Sequence, residues 1–524
     1  MKLSLTLLWS ALTVQALPSS EIHSDTDKLS VNWKHLTKEI SLIRKDWRVP
    51  GLAVGVVHKG QLVFSKGFGS RNVNDNKEPV NTDTLFQIAS CSKAFTSFAI
   101  GMMVDDNKLD WNSKATSQYP VSFQDPVAHA HASLFDMLTH RTGLPANDFT
   151  LALYNNSEDL LTKVQYMVPR HEFREKFLYV NHMYALAGTI AGQASGLGSW
   201  DKLIQHKIFE PLGMNNSLTD LVEALPKKNR ASGHYYDDNG EVQSFNDEEA
   251  WWSSPIKPAG TIVSSINDLA KWVALITRQG VLANGTSLIS KSQFKKLTSP
   301  QIILPDTSPV STEPIQLQSY GIGWIVDSYR GKVRVQHSGN HPGFHAVIDT
   351  YANEDLAIIS LSNVGATKAD FAVAQTIADR IFFPRNKEFN RNKYYLDKHN
   401  SDTILQQAAI TEYIASRKPN APPTLPLASY QGTFNNVVLG NFTLKLNGTD
   451  SHFYKFEWTA NSKITGVIGH WQDNEFGIFH LDSILFKYSN YSVPTLSTIF
   501  AVDGNSFDLE IEEGVNNKFS RVRK

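Results

Sequence analysis

The chain holds a single cysteine, Cys91, in 524 residues. An intrachain disulfide is therefore excluded, and burial of apolar surface must supply the stability that small exported domains take from bridges. Zinc sites built on paired cysteines are excluded too. Charge of one sign is equally scarce: 50 Lys and Arg stand against 51 Asp and Glu, a formal net charge of −1. With no basic stripe, nothing points to nucleic acid or an anionic membrane as partner. No apolar run reaches the roughly 18–20 residues that cross a bilayer. A glycine-rich phosphate loop is missing, so no cofactor is called for. His129 and His131, in Ala-His-Ala-His-Ala, have no recognisable partner ligands and read as a solvated loop rather than a metal site.

What is present is the composition of a globular protein, 41% hydrophobic and 19% charged, with length for two or three domains. The N-terminus reads as a signal peptide over residues 1–16. Lys2 gives the positive end, Leu3 to Leu12 the apolar run, and Val14-Gln-Ala16 a small-residue cleavage site. Export would give meaning to the Asn-x-Ser/Thr sequons at Asn155, Asn215, Asn284, Asn441, Asn447 and Asn490 as N-glycan sites. The expected location is extracellular or in the secretory lumen.

The most informative stretch runs from Thr84 to Ile100. A short apolar segment leads into Ser90-Cys-Ser-Lys93 as a helical pattern begins. Positions i and i+3 share a helix face, which brings the Lys93 amine beside the Ser90 hydroxyl. A serine needs a neighbouring base to become a nucleophile. The positive end of the helix disfavours an ammonium there. The same spacing recurs at Ser199/Lys202, Ser254/Lys257 and Ser292/Lys295, so the tetrad alone proves little. Cys91, one residue on, points about 100° away along a helix and reads as a buried space-filler.

Downstream partners decide between the copies. Tyr179 and Asn181 sit in Tyr-Val-Asn just ahead of an apolar helix, and His337-Ser-Gly339 ends a strand pattern. In this order the three motifs resemble those of the penicillin-recognising serine hydrolases: class C β-lactamases, related esterases and D-amino-acid peptidases. Leu138-Thr-His-Arg-Thr-Gly-Leu144, Pro258-Ala-Gly260 and Tyr320-Gly-Ile-Gly-Trp324 extend the resemblance over roughly residues 35 to 385.

The resemblance implies an α+β fold, an antiparallel sheet flanked by helices with an inserted helical region and the site in the crevice between them. Periodicity agrees: strands at Leu52–Val57 and Gln61–Ser65, helices from Ser92 to about Arg278, then strands at Tyr320–Val326, Val333–Gln336, Gly343–Thr350 and Ala357–Leu361. The hydrolase domain is expected over 29–385, and a linker with a helix at Asp402–Ser416 over 386–426. Residues 427–524 form short alternating runs that read as a small antiparallel β-barrel, resembling the lipocalin-like domains appended to some family members.

In the mechanism that the resemblance implies, Ser90 attacks a carbonyl and Lys93 and Tyr179 share the proton transfers, the tyrosine once nearby cations lower its pKa. Asn181, His337, Gly339 and Asn340 would bind substrate, with the Ser90 and Asn340 N–H groups holding the oxyanion. Lysine is usual where His337 stands. An imidazole, charged only below about pH 6.5, would favour esters, amides or D-peptides over penicillins. Trp251, Trp252 and Trp324 are candidates for an acyl pocket or for the core. The reading is a secreted serine hydrolase acting on a small-molecule or peptide substrate. The alternatives are a catalytically silent extracellular matrix or binding protein that keeps the fold, and an acyltransferase with an acceptor other than water.

Overall fold

The computed structural model describes residues 29–237, 239–245, 255–305, 315–384, 389–418, 420–447, 450–460, 463–482, 496–512 and 515–522. The signal-peptide expectation, Asn490, Trp251 and Trp252 lie outside them.

Two neighbouring apolar strands with a Lys59-Gly60 turn start the main sheet: β1 (Gly51–His58) and β2 (Gln61–Asn72), followed by β3 (Asp75–Pro79). Short pairs follow, β4 (Phe86–Gln87) with β7 (Val263–Ser264) and β5 (His234–Tyr236) with β6 (Val242–Ser244). The sheet resumes as β8 (Ile302–Ile303), β9 (Ile315–Tyr320), β10 (Ile325–Tyr329), β11 (Lys332–His341), β12 (Phe344–Tyr351) and β13 (Leu356–Ser362). Its nine strands run in the order β3-β2-β1-β13-β12-β11-β10-β9-β8, so the two ends of the sequence meet where β1 pairs antiparallel with β13. β1, β12 and β13 are apolar on both faces because both faces are covered. Helices Trp33–Asp46 and Ala369–Phe382 cover one side and Ile266–Thr277 the other.

Tyr320–Val326 is not one strand, as its run of apolar residues suggests. The chain reverses between β9 and β10, with Gly323 at φ +79° against the backbone of the helix carrying Lys93. A Cβ at Gly323 would run into Ser97 and the Lys93 carbonyl, so glycine is demanded by that approach. β11 is longer than its apolar core suggests, because polar His337 and Asn340 continue the pairing with β12.

Between the sheet ends lies the helical region. Helix Ser92–Asp105 is apolar nearly all round and is buried from Ser92 to Met103. Helix Asn181–Ala194 packs beside it. Trp324 stacks toward Trp272 in this core, 1% exposed, and so belongs to the packing.

The linker contains a helix longer than its expected core, Arg391–Ala415, exposed over most of its length. Beyond it eight strands close into a barrel: β14 (Gly432–Asn436), β15 (Gly440–Asn447), β16 (Asp450–Thr459), β17 (Lys463–Gln472), β18 (Glu475–Asp482), β19 (Leu496–Phe500), β20 (Ser506–Glu512) and β21 (Val515–Arg521). Phe434, Phe442, Phe500, Phe507 and Phe519 pack ring to ring at 4.7–5.9 Å and fill its core. One end of the barrel rests on the helical region. There Trp458 stacks on Phe149 at 4.2 Å, and the Tyr154 hydroxyl donates to the Val438 carbonyl at 2.6 Å.

On β11, the strand that also carries the site, Arg334 is 1% exposed and donates to Asp327 at 2.8 and 2.9 Å and to Asp349 at 3.1 Å. Removing the guanidinium strands two buried carboxylates, so Arg334→Ala should lower stability by about 3–5 kcal/mol in urea unfolding. A loss below about 1 kcal/mol would show that the charges are not buried together as described.

Candidate active site

Ser90 belongs to a single 3-10 turn, Ala89–Cys91, that runs straight into helix Ser92–Asp105. Ala89 ahead of it takes φ +45°, a conformation that alanine adopts at a cost of about 1 kcal/mol or more. The turn is pinned from above by β11: a Cβ at Gly339 would collide with the Ile88 carbonyl and crowd the Ser90 nitrogen. Cys91 ties the same junction, its Sγ donating to the His337 carbonyl at 3.3 Å. The hydroxyl of Ser90 is thus held half-buried at the wall of a cleft of ≈ 230 Å³.

Lys93 is fully buried behind it. Its Nζ donates to Ser90 Oγ at 3.2 Å, to Asn181 Oδ1 at 2.7 Å and to the Ala259 carbonyl at 2.9 Å. Desolvation lowers its pKa to about 7, with the negative charge of Asp148 pulling the other way. A substantial fraction is therefore free amine at neutral pH, able to take the serine proton. Asn181 is oriented from both ends, since its Nδ2 donates to Asp148 Oδ1 at 3.0 Å.

Tyr179 also hydrogen-bonds Ser90, and Lys93 Nζ lies 4.7 Å from its ring centre. The expected lowering of its pKa is not what this environment does. Burial raises it well above the ordinary value, against which the Ser90 hydrogen bond works only in part. Tyr179 is therefore a neutral phenol, fit to pass a proton rather than to begin as phenolate, which leaves the Lys93 amine as the group able to accept one.

Of the four residues expected to hold substrate, Asn181 and Asn340 line the cleft and His337 and Gly339 stand behind it. Asn340 is exposed, and its Oδ1 accepts from Ala366 N at 2.9 Å. His337 is 3% exposed, enclosed by Tyr179 and Tyr320, with Nδ1 2.6 Å from the Ser338 carbonyl and Nε2 3.3 Å from the Tyr320 hydroxyl. Burial and the nearby Lys93 push its pKa down to about 3. Acidification below pH 6.5 will not charge it. Its neutrality fits a site without a fixed cation at this position, for a different reason from exposure to water.

Of the other Ser-x-x-Lys copies, Ser254 lies outside the described residues and the remaining two fall elsewhere. Ser199 caps helix Trp200–Ile204 by accepting from Lys202 N, and Ser292 is exposed at the start of helix Lys291–Leu297.

The β-lactamase family model matches residues 40–380, more than half of the chain, and takes in Ser90, Lys93, Tyr179, Asn181 and His337. The chain belongs to the β-lactamase family. Among curated proteins it is similar to unguisins hydrolase ungD' of Aspergillus campestris, 27% identical over 417 residues that cover 76% of this chain and 75% of the relative. Penicillin-binding protein 4* of Bacillus subtilis is 26% identical over 373 residues, 68% of this chain and 77% of that protein. The octameric penicillin-binding protein homologue from Pyrococcus abyssi shares the fold at a TM-score of 0.62 and 21% identity, over 93% of this chain and all of that one. With hydrolases among its relatives, the chain is a serine hydrolase of the β-lactamase and penicillin-binding-protein type with a closed eight-stranded C-terminal barrel.

Several site residues of this family member escaped the sequence reading. His140, in the Leu-Thr-His stretch, accepts from Val180 N at 3.0 Å and packs 4.4 Å from the Tyr179 ring, holding the loop that presents the tyrosine. Tyr320 meets His337, and Asp148 meets Asn181. The His140 and Tyr320 stretches were visible as motifs. Asp148 sits in a loop with no pattern to mark it.

Two outcomes follow from the geometry. A Lys93 that acts as base requires kcat/KM for an uncharged ester to rise with pH through about 7 and level above it; a flat profile between pH 5.5 and 8.5 would contradict that role. Cys91, 1% exposed and with its thiol pKa raised by burial, should resist iodoacetamide in the native protein. Cys91→Ala should cost about 1–2 kcal/mol in thermal or urea unfolding and keep turnover; loss of turnover in the folded variant would give the thiol a role in the reaction.

Proposed function

We propose that this protein is an exported serine hydrolase that opens ester, amide or D-configured peptide bonds through a Ser90 acyl-enzyme. The observation that carries this is the buried Lys93 amine, with a pKa near 7, 3.2 Å from Ser90 Oγ. In the first step Ser90 Oγ bonds to the substrate carbonyl carbon as its proton passes to Lys93 Nζ. The resulting oxyanion lies toward the Ser90 and Asn340 N–H groups. The proton then moves, through Tyr179, to the departing alcohol or amine as its bond to carbon breaks. Water adds to the acyl-enzyme by the reverse relay, releasing the acid and restoring the serine.

The neutral His337 favours esters and amides over substrates that require a cation for their carboxylate. Export rests on the N-terminal Lys2–Ala16 pattern, and it is supported by the exposure of Asn155, Asn215, Asn284 and Asn441 in their sequons.

Ser90→Ala should abolish both fluorophosphonate labelling and turnover of an activated ester, while Ser199→Ala and Ser292→Ala should stay near wild type. Turnover retained in pure, folded Ser90→Ala would sink the mechanism, and absence of labelling in the wild type would favour a silent binding protein.

A further inference from the structure

Among the described residues that line the cleft one is an acid, Asp148, and none is a lysine or arginine. His341, beside it in the lining, has its pKa pushed down to about 4 by burial and is neutral. The Asp148 side chain is solvent-exposed at the rim, yet its position is fixed. Oδ1 accepts from Asn181 Nδ2 at 3.0 Å, which ties it to the residue that also meets Lys93.

The turn that carries it, Asp148–Ala152, is clamped from two sides. Thr150 Oγ1 lies 2.9 Å from His182 Nε2 on helix Asn181–Ala194, and the buried Phe149 ring stacks on Trp458 of the barrel at 4.2 Å. Trp458 is itself held by donating from Nε1 to the Leu439 carbonyl at 2.7 Å. A carboxylate on a flexible loop would swing toward bulk water, but this one is kept at the cleft.

Resting on the serine hydrolase reading above, we propose that Asp148 is a specificity-determining residue that selects acyl groups bearing a positive charge, such as an ammonium, and turns away anionic ones. Its carboxylate attracts a cation bound a few ångströms away and repels an acyl carboxylate or sulfonate. Lys93, the cation that feels this carboxylate, is buried behind Ser90 and loses its charge above about pH 7. Because the group is exposed, the effect is screened by salt. This reading also assigns the C-terminal barrel a part in the site, as the support behind the selecting residue.

Three p-nitrophenyl esters of equal acyl length test it, ending in a trimethylammonium, a tert-butyl and a sulfonate group. None of these ends can attack its own ester. At pH 8.5, where Lys93 is mostly uncharged, kcat/KM should fall in the order cationic, neutral, anionic, with at least a fivefold span that narrows as NaCl rises from 20 to 500 mM. Asp148→Asn keeps an oxygen to accept from Asn181 and removes only the charge, so the span should collapse to within twofold. Asp148→Lys should invert the order. Phe149→Ala, which loosens the turn but keeps the charge, should narrow the span without inverting it.

A wild-type span below twofold, or a span unchanged in folded Asp148→Asn, overturns the proposal. The failure of the underlying reading looks different. If Ser90→Ala still cleaves the esters, the serine mechanism falls whatever the charge order. If Ser90→Ala is inactive and the wild-type order is flat, only the role of Asp148 falls.

Discussion

An amine kept out of water beside a hydroxyl is the constraint on which the rest of this domain depends. Burying Lys93 charged and alone would cost several kcal/mol, and the fold answers in two ways. It supplies acceptors from two other elements, the Asn181 amide and the Ala259 carbonyl, and it lets the pKa drop to about 7. The second response makes the first useful, because a lysine that is partly neutral at physiological pH is a base. Sealing that amine requires helix Ser92–Asp105 to be apolar almost all round, and requires helix Asn181–Ala194 and the Lys257–Gly260 segment to close over it.

The same burial sorts the neighbouring groups into roles. Tyr179, His337, His140 and Tyr320 all lie within one aromatic cluster, and desolvation holds each in its neutral form. Only Lys93 in this cluster has a pKa near the working range, so which group can accept a proton is set by environment rather than by residue type. Cys91 shows the converse: next to Ser90 in sequence, it is silenced by apolar burial and by donating to the His337 carbonyl.

Elements with strong local patterns were legible in the sequence. The all-round apolar helix after Ser90, the β1–β2 turn, β12 and β13 follow their periodicity closely. In the barrel, β17 and β21 carry weak strand signals. β17 carries Gly466 and Gly469, which weaken its strand signal, while β21 is largely polar and owes its place to closing the barrel against β14 and β20. Tyr320–Val326 misled for the opposite reason. Its apolar residues are buried on a reversal, which a count of hydrophobic residues cannot distinguish from a strand.

By itself the sequence determined which residues could do chemistry here: the Ser90–Lys93 spacing is a property of one helix turn, and Tyr179–Asn181 of one helix entrance. It also fixed the order of the sheet-forming and helical stretches, since period 2 and period 3.6 are local. What only the tertiary structure decided was the state of those residues. Lys93 becomes a partly neutral amine, Tyr179 a neutral phenol and His337 a buried imidazole because desolvation sums over atoms from segments up to hundreds of residues apart. Asp148 is held at the cleft by Asn181, by the Thr150–His182 contact and by the barrel, some 300 residues later in the chain, which packs against the next residue. Proton affinity and cleft charge are properties of an enclosure, and an enclosure exists only once the chain has folded.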